Sequence, residues 1–213
     1  MDAMRRLEPV ARPLLRQVDT ALATLGAPAD HRVWALLRRV GLTPADAVSA
    51  LCDLEPERLR AAAGAVRDRA DEYATSVVPI SIEGWSGAAA EAYAQRAAGL
   101  ADHQHEALPA RLRATASYVD SVADWMDAAR DRLARCLAAV LGSTQALAIR
   151  APSGGFATSS VMAAADIGAA VLAVVDEVIT EAGASPGQWE LGELEYRAAS
   201  YPDPVSDRPI SLR

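Results

Sequence analysis

The sequence has no lysine: all 21 of its basic residues are arginine. It has one phenylalanine, three histidines and two cysteines in 213 residues. Each scarcity removes a class of answers. A core short of aromatics, filled by alanine and leucine, suits closely approaching helices, whereas strands would draw on Val, Ile, Tyr and Phe. Three histidines leave no Ser/His/Asp or Cys/His set with sequence support. Cys52 and Cys136 lie far apart and belong to no CxxC pair, which argues against a structural zinc site. Their apolar flanks point to buried free thiols, with one long-range disulfide as the alternative.

Long apolar runs are missing too. The most apolar stretch, 161–179, contains Asp166, Asp176 and Glu177, which a spanning helix tolerates poorly. Charges run through residues 1–16, so no cleavable secretory signal is expected there. The net charge is −7, and arginines alternate with acids in Arg67-Asp68-Arg69 and Arg130-Asp131-Arg132. Those runs read as solvated helix faces. Without a basic stripe, phosphate neutralisation has no footprint, and nucleic acid is not an expected partner.

What is present is helical punctuation. Leu7, Val10, Leu14, Val18, Leu22 and Leu25 recur three or four apart and predict a helix over 2–25, stopped by Gly26 and Pro28. A short helix over 31–40 ends at Gly41. Thr43-Pro44 then opens another, to about Cys52. This pair has the length of a helix-turn-helix, but its second helix carries Asp46 and no arginine. It reads as a packed corner rather than a DNA reader.

From Pro56 the positions Leu59, Ala63, Val66, Ala70, Tyr73 and Val77 form a heptad seam ended by Pro79. A β-branched stretch over 77–82 leads to Trp85-Ser86-Gly87. A new helix follows, with Ser86 as its expected cap, and Pro109 must kink or restart it. Beyond lies a second seam: Leu112, Thr115, Val119, Val122, Met126, Ala129, Leu133, Cys136, Val140, Ser143 and Leu147. Its alternating large and small residues favour a close antiparallel contact within the chain or with a partner. Residues 150–160 read as a loop. A last helix over 161–182, capped by Ser159 or Ser160, presents Val161, Ala164, Gly168, Val171, Val175 and Val178, and Gly183 ends it. Its polar face is acidic, which favours core or partner contact over a membrane surface.

Trp85-Ser86-Gly87, followed by Ala88-Ala89-Ala90-Glu91-Ala92-Tyr93 and flanked by two seams, resembles the WxG family of type VII (ESX) secretion proteins. The resemblance covers about residues 56–148. It implies two long antiparallel helices joined at the W-x-G turn, working by helix–helix association with a copy of itself or a smaller WxG-type protein. Export through type VII secretion would follow, or a cytoplasmic role beside it. Family members or their partners usually carry a tyrosine followed four residues later by an acid. Here Tyr118 is followed at that spacing by Val122, Tyr196 by Ser200 and Tyr201 by Val205. That departure favours a partner-supplied signal, or a cytoplasmic chaperone, adaptor or trafficking role in a toxin system. A helical protein unrelated to secretion is the remaining alternative. The physics of the motif stands beside the resemblance. Glycine permits positive φ, and an indole suits a site half in an interface. A buried tryptophan there would cost about 3–5 kcal/mol to remove.

Asp102, His103, His105 and Glu106 hold half of a di-metal carboxylate pattern, and the rest is missing, so a solvated polar turn before Pro109 is expected. Gly154-Gly155 is no phosphate loop, since no Gly-Lys-Ser/Thr follows. The expectation is an all-α, non-enzymatic, cofactor-free and oligomeric interaction protein. Residues 1–54 form an N-terminal short-helix subdomain, 55–150 a long antiparallel hairpin with a WxG turn, 151–183 a loop and a C-terminal helix completing a bundle, and 184–213 a Pro-containing tail. The residues expected to meet a partner are Trp85 and Gly87 at the turn, with Leu112, Val119, Val122, Met126, Ala129, Leu133 and Val140 along the seam.

Overall fold

The computed structural model describes residues 3–76, 84–150 and 158–184. The β-branched stretch over 77–82, most of the 150–160 loop and the tail from 185 onward lie outside the described residues. Within them the chain is all-α, and no strand occurs.

Helix α1 (Ala3–Thr24) buries Met4, Ala11, Leu14, Leu15, Val18, Ala21 and Leu22. The expected stripe is displaced at its edges: Val10 and Leu25 are exposed. Helix α2 (Val33–Val40) ends on Gly41, whose φ of 71° lets its N–H reach the Leu37 carbonyl. Helix α3 (Pro44–Cys52) starts as expected, with the Thr43 hydroxyl accepting from the Asp46 N–H at 3.3 Å. The long helix α8 (Thr158–Ala184) touches α1, α2, α3, α6 (Leu108–Leu141) and α7 (Thr144–Arg150). It packs closely because Gly168 has no side chain: a Cβ there would lie 3.1 Å from Leu22 Cδ1. Ser160 does not cap it, because the helix begins before it, and the Ser160 hydroxyl donates instead to the Ala148 carbonyl. Gly183 lies within its last turn, so the helix passes the residue expected to end it.

Helix α4 (Pro56–Thr75) packs antiparallel along α6 (Leu108–Leu141). The direction follows from the ion pairs between them: Arg60 meets Asp124 and Asp127, Arg67 meets Asp120, and Asp71 meets Arg113. Helix α5 (Ala88–Asp102) joins α6 through a π-helical turn, His103–Ala107, immediately before Pro109. Proline cannot donate a backbone bond one turn back, and a wider turn absorbs the loss without ending the helix. The expected polar turn is thus a helical one.

The second seam does not run unbroken. Gly142 ends α6, and the Ser143 side chain accepts from the Ala146 N–H to open α7 (Thr144–Arg150). Leu147 therefore belongs to a separate helix, where it is exposed.

The buried apolar residues divide the molecule. One continuous core joins α1, α2, α3, α7, α8 and the C-terminal part of α6. No residue of α4 or α5 belongs to it. We call these parts the body and the arm. The arm comprises α4, α5 and α6 up to about Asp127.

Candidate functional site, the exposed arm

The arm is built on alanine. On α4 the buried positions are Pro56, Ala63 and Ala70; on the facing stretch of α6 Pro109, Ala116, Ala123 and Arg130 are buried at the same seven-residue interval. The ion-pair register sets Ala63 level with Ala123 and Ala70 level with Ala116. Small side chains at every contact let the two backbones approach closely. Leu112, Val119, Val122 and Met126 flank this row, half-buried. Further along α6, Ala129, Leu133 and Val140 sit inside the body core against this chain's own helices. The residues expected along the seam are thereby split: four lie on the arm and three are already covered.

The large residues of the seam fall at the expected interval, whereas the small buried member of each heptad is Ala116 or Ala123 rather than Thr115 or Val122. Composition could not separate these, since both neighbours are acceptable packing residues.

Among the described residues, α5 touches only the π turn. Its N-terminus carries the motif. Gly84 and Gly87 adopt φ of 79° and 94°, where a side chain is strained. Gly87, not Ser86, stands at the cap position, and its carbonyl accepts from Ala90 and Glu91. Trp85 does not plug a packed layer. It is 59% exposed and stands edge-on to Tyr93, with ring centroids 5.5 Å apart and planes at 81°. Tyr93 is itself 46% exposed and Leu100 59%. Spaced along one side of α5, they make an apolar face at the distal end of the arm.

Several polar arrangements had no signal in the sequence. Arg130 is buried, not solvated. Its guanidinium donates to the carbonyls of Leu51, Cys52 (2.8 Å) and Leu54, where α3 ends. A cation on the last carbonyls of a helix meets the negative end of its dipole. Arg132 is also engaged, with both terminal nitrogens at 2.5 Å from Glu181. That pairing raises the Arg132 pKa and lowers that of Glu181. Arg67 reaches across to Asp120. Arg67, Arg130 and Arg132 thus reach partners tens of residues away, while Arg69 pairs with Glu72 on its own exposed helix surface, as a solvated face would.

His31, which has no acid three residues away in sequence, meets one in space: its Nε2 lies 3.3 Å from Asp166 Oδ1. Its Nδ1 accepts from the Val33 N–H at 3.2 Å. Both ring nitrogens are thereby engaged. Asp19 Oδ2 accepts from the Thr43 hydroxyl (3.0 Å) and the Ala45 N–H (3.3 Å), while its buried Oδ1 has no donor among the described residues. Burial pushes the Asp19 carboxyl above the usual range, and the Thr43 and Ala45 bonds oppose the shift.

Cys52 and Cys136 are both half-buried thiols, not joined in a disulfide. Burial raises the Cys136 thiol, which works against reactivity. Among the described residues no group of three His, Cys, Asp or Glu stands together as metal ligands. No described helix is long and apolar enough to cross a membrane. A cleft of about 660 Å³ beside Arg130 is lined by both signs of charge: Arg5, Arg58, Glu55, Glu57 and Asp127. Comparison with known protein families, curated proteins and solved structures finds no match to this chain.

Proposed function

We propose that this protein acts by helix–helix association through its arm, without catalysis, as an elaborated relative of the WxG proteins of type VII secretion. The observation that carries the reading is the exposed Trp85–Tyr93 pair at the start of α5, continued by Leu100 on a helix that meets no other described helix. Large aromatic residues left in water at the end of a rigid element are what a protein partner covers, and such anchors dominate binding energies. The glycines at Gly84 and Gly87 hold the turn in a conformation other residues resist, which fixes where the indole stands. The partner of this reading is a helical protein, either a second copy or a smaller WxG-type chain. Within the seam, Leu112, Val119, Val122 and Met126 remain as accessory contacts, while Ala129, Leu133 and Val140 serve the body.

Co-expression with the products of neighbouring genes tests this. A stoichiometric, helix-rich complex is expected. A strictly monomeric protein, with no such partner and no secretion genes nearby, overturns the reading. The lack of an acid four residues after Tyr118 favours a second reading, a chaperone or adaptor retained in the cytoplasm. Appearance in culture filtrate, dependent on the secretion ATPase, decides for an exported substrate.

A further inference from the structure

Helix α4 touches only α6 and the π turn among the described elements. Its fully buried residues are Pro56, Ala63 and Ala70, with the larger Leu59 and Val66 only half-buried beside them, and Gly64 weakens the helix from within. Charge adds to these contacts. On α4 the groups facing α6 are Arg60, Arg67 and Asp71; on α6 they are Asp120, Asp124, Asp127 and Arg113. Asp120, Asp124 and Asp127 follow one helical face, so they meet the two arginines as a row. The Arg60 pKa is raised by hydrogen bonds to Asp124 and then Asp127, a sign that the pairing is engaged. All these side chains remain partly open to water, where dissolved ions weaken them.

The base of α4 is different. The Leu54 carbonyl, two residues before the helix, is bound by buried Arg130. The chain is pinned there by a buried group, and held above by small or half-buried apolar residues and partly exposed ion pairs.

We propose that α4 is a strap, anchored at its base by Arg130 and latched along its length by the Arg60, Arg67 and Asp71 pairs, which lifts off α6 while the body stays folded. Lifting uncovers Ala116 and Ala123 together with Leu112, Val119 and Met126. Ionic strength sets how often it opens. The inference holds whatever the arm binds, since it concerns the free chain.

Amide hydrogen exchange of the full chain at pH 7, in 20 mM and 500 mM NaCl, reads the strap directly. At low salt, α4 amides exchange at least about tenfold faster than those of α1 and α8, as expected of a local opening rather than a global one. High salt speeds α4 by a further factor of about three or more, with α1 and α8 unchanged, because the Debye length falls to a few ångströms. Arg67→Gln gives the high-salt pattern already at 20 mM. Equal rates for α4 and the body, a common acceleration of both, or an α4 rate indifferent to salt and to Arg67→Gln would each overturn the proposal.

Discussion

The body and the arm solve the same packing problem with different materials. The body buries Leu14, Leu15, Leu133, Leu137, Leu172 and a set of valines in one continuous core around α8. Among its described residues the arm fully buries only alanines and prolines, with Arg130 at its base, leaves its larger apolar residues half-buried or exposed, and adds charge pairs between its helices. Each large apolar side chain fully buried contributes about 1.5–3 kcal/mol, while an exposed ion pair contributes about 0–1 kcal/mol. The body can therefore hold itself together, and the arm is the part with stability to gain from a partner. The difference also separates two kinds of tryptophan environment. Trp34 is packed against the body and donates to the Pro28 carbonyl at 3.1 Å, whereas Trp85 stands in water.

The comparison breaks first at Leu133, a residue on α6 but inside the body. Leu133→Ala should cost about 2–5 kcal/mol by chemical denaturation, because it leaves a cavity in a close-packed core. A loss below about 1 kcal/mol would show that α6 is not integral to the body.

Next comes the joint between the regions. Arg130→Met keeps much of the side-chain volume but leaves the Leu51, Cys52 and Leu54 carbonyls without their donor. The expected loss is about 2–3 kcal/mol, measured by urea unfolding. Exchange at the end of α3 and the start of α4 should rise with it. A silent substitution would remove the anchor from the account.

A smaller effect, of opposite sign, is expected at Asp19. Its carboxyl is raised in the folded chain, so the fold favours the protonated form. Its contribution to stability is therefore greatest at acid pH and falls as pH climbs from the usual carboxylate range through the raised value. Asp19→Asn keeps an acceptor for Thr43 and Ala45 without the charge. It should be more stable than the parent at pH 7, and the gain should vanish as pH falls through the carboxylate range. A gain that persists at low pH would contradict the assignment. Glu181 runs the other way: its pKa is lowered by Arg132, so what it contributes is lost as pH falls.

Much of the fold is legible in the sequence because its signals are local. The Thr43 cap, the Gly41 stop, the positive φ at Gly87 and the large members of the α6 seam all follow from neighbours a few residues away. What escapes is set at long range. Nothing near Arg130 in sequence says that α3 ends against it. Nothing near His31 announces Asp166. The placement of α4 along α6, leaving α5 unpaired among the described helices, depends on a π turn that absorbs Pro109. The motif at Trp85 is readable as letters, yet its exposure is not. In sequence the indole suits a site half in an interface, and its degree of exposure is set by where α5 stands, apart from the other described α-helices.

That exposure gives the smallest expected effect on stability and the largest on function. Trp85→Ala should change unfolding free energy by no more than about 0.5 kcal/mol, as for other surface positions, instead of the cost of a buried tryptophan. The decisive measurement is the affinity of the co-expressed partner complex for wild type and Trp85→Ala, with the melting temperature taken in parallel. Binding should weaken by about 30- to 150-fold, the effect of losing an aromatic anchor of about 2–3 kcal/mol, with the melting temperature of the free protein unchanged. Unchanged affinity, or weakening matched by a loss of fold, would contradict it.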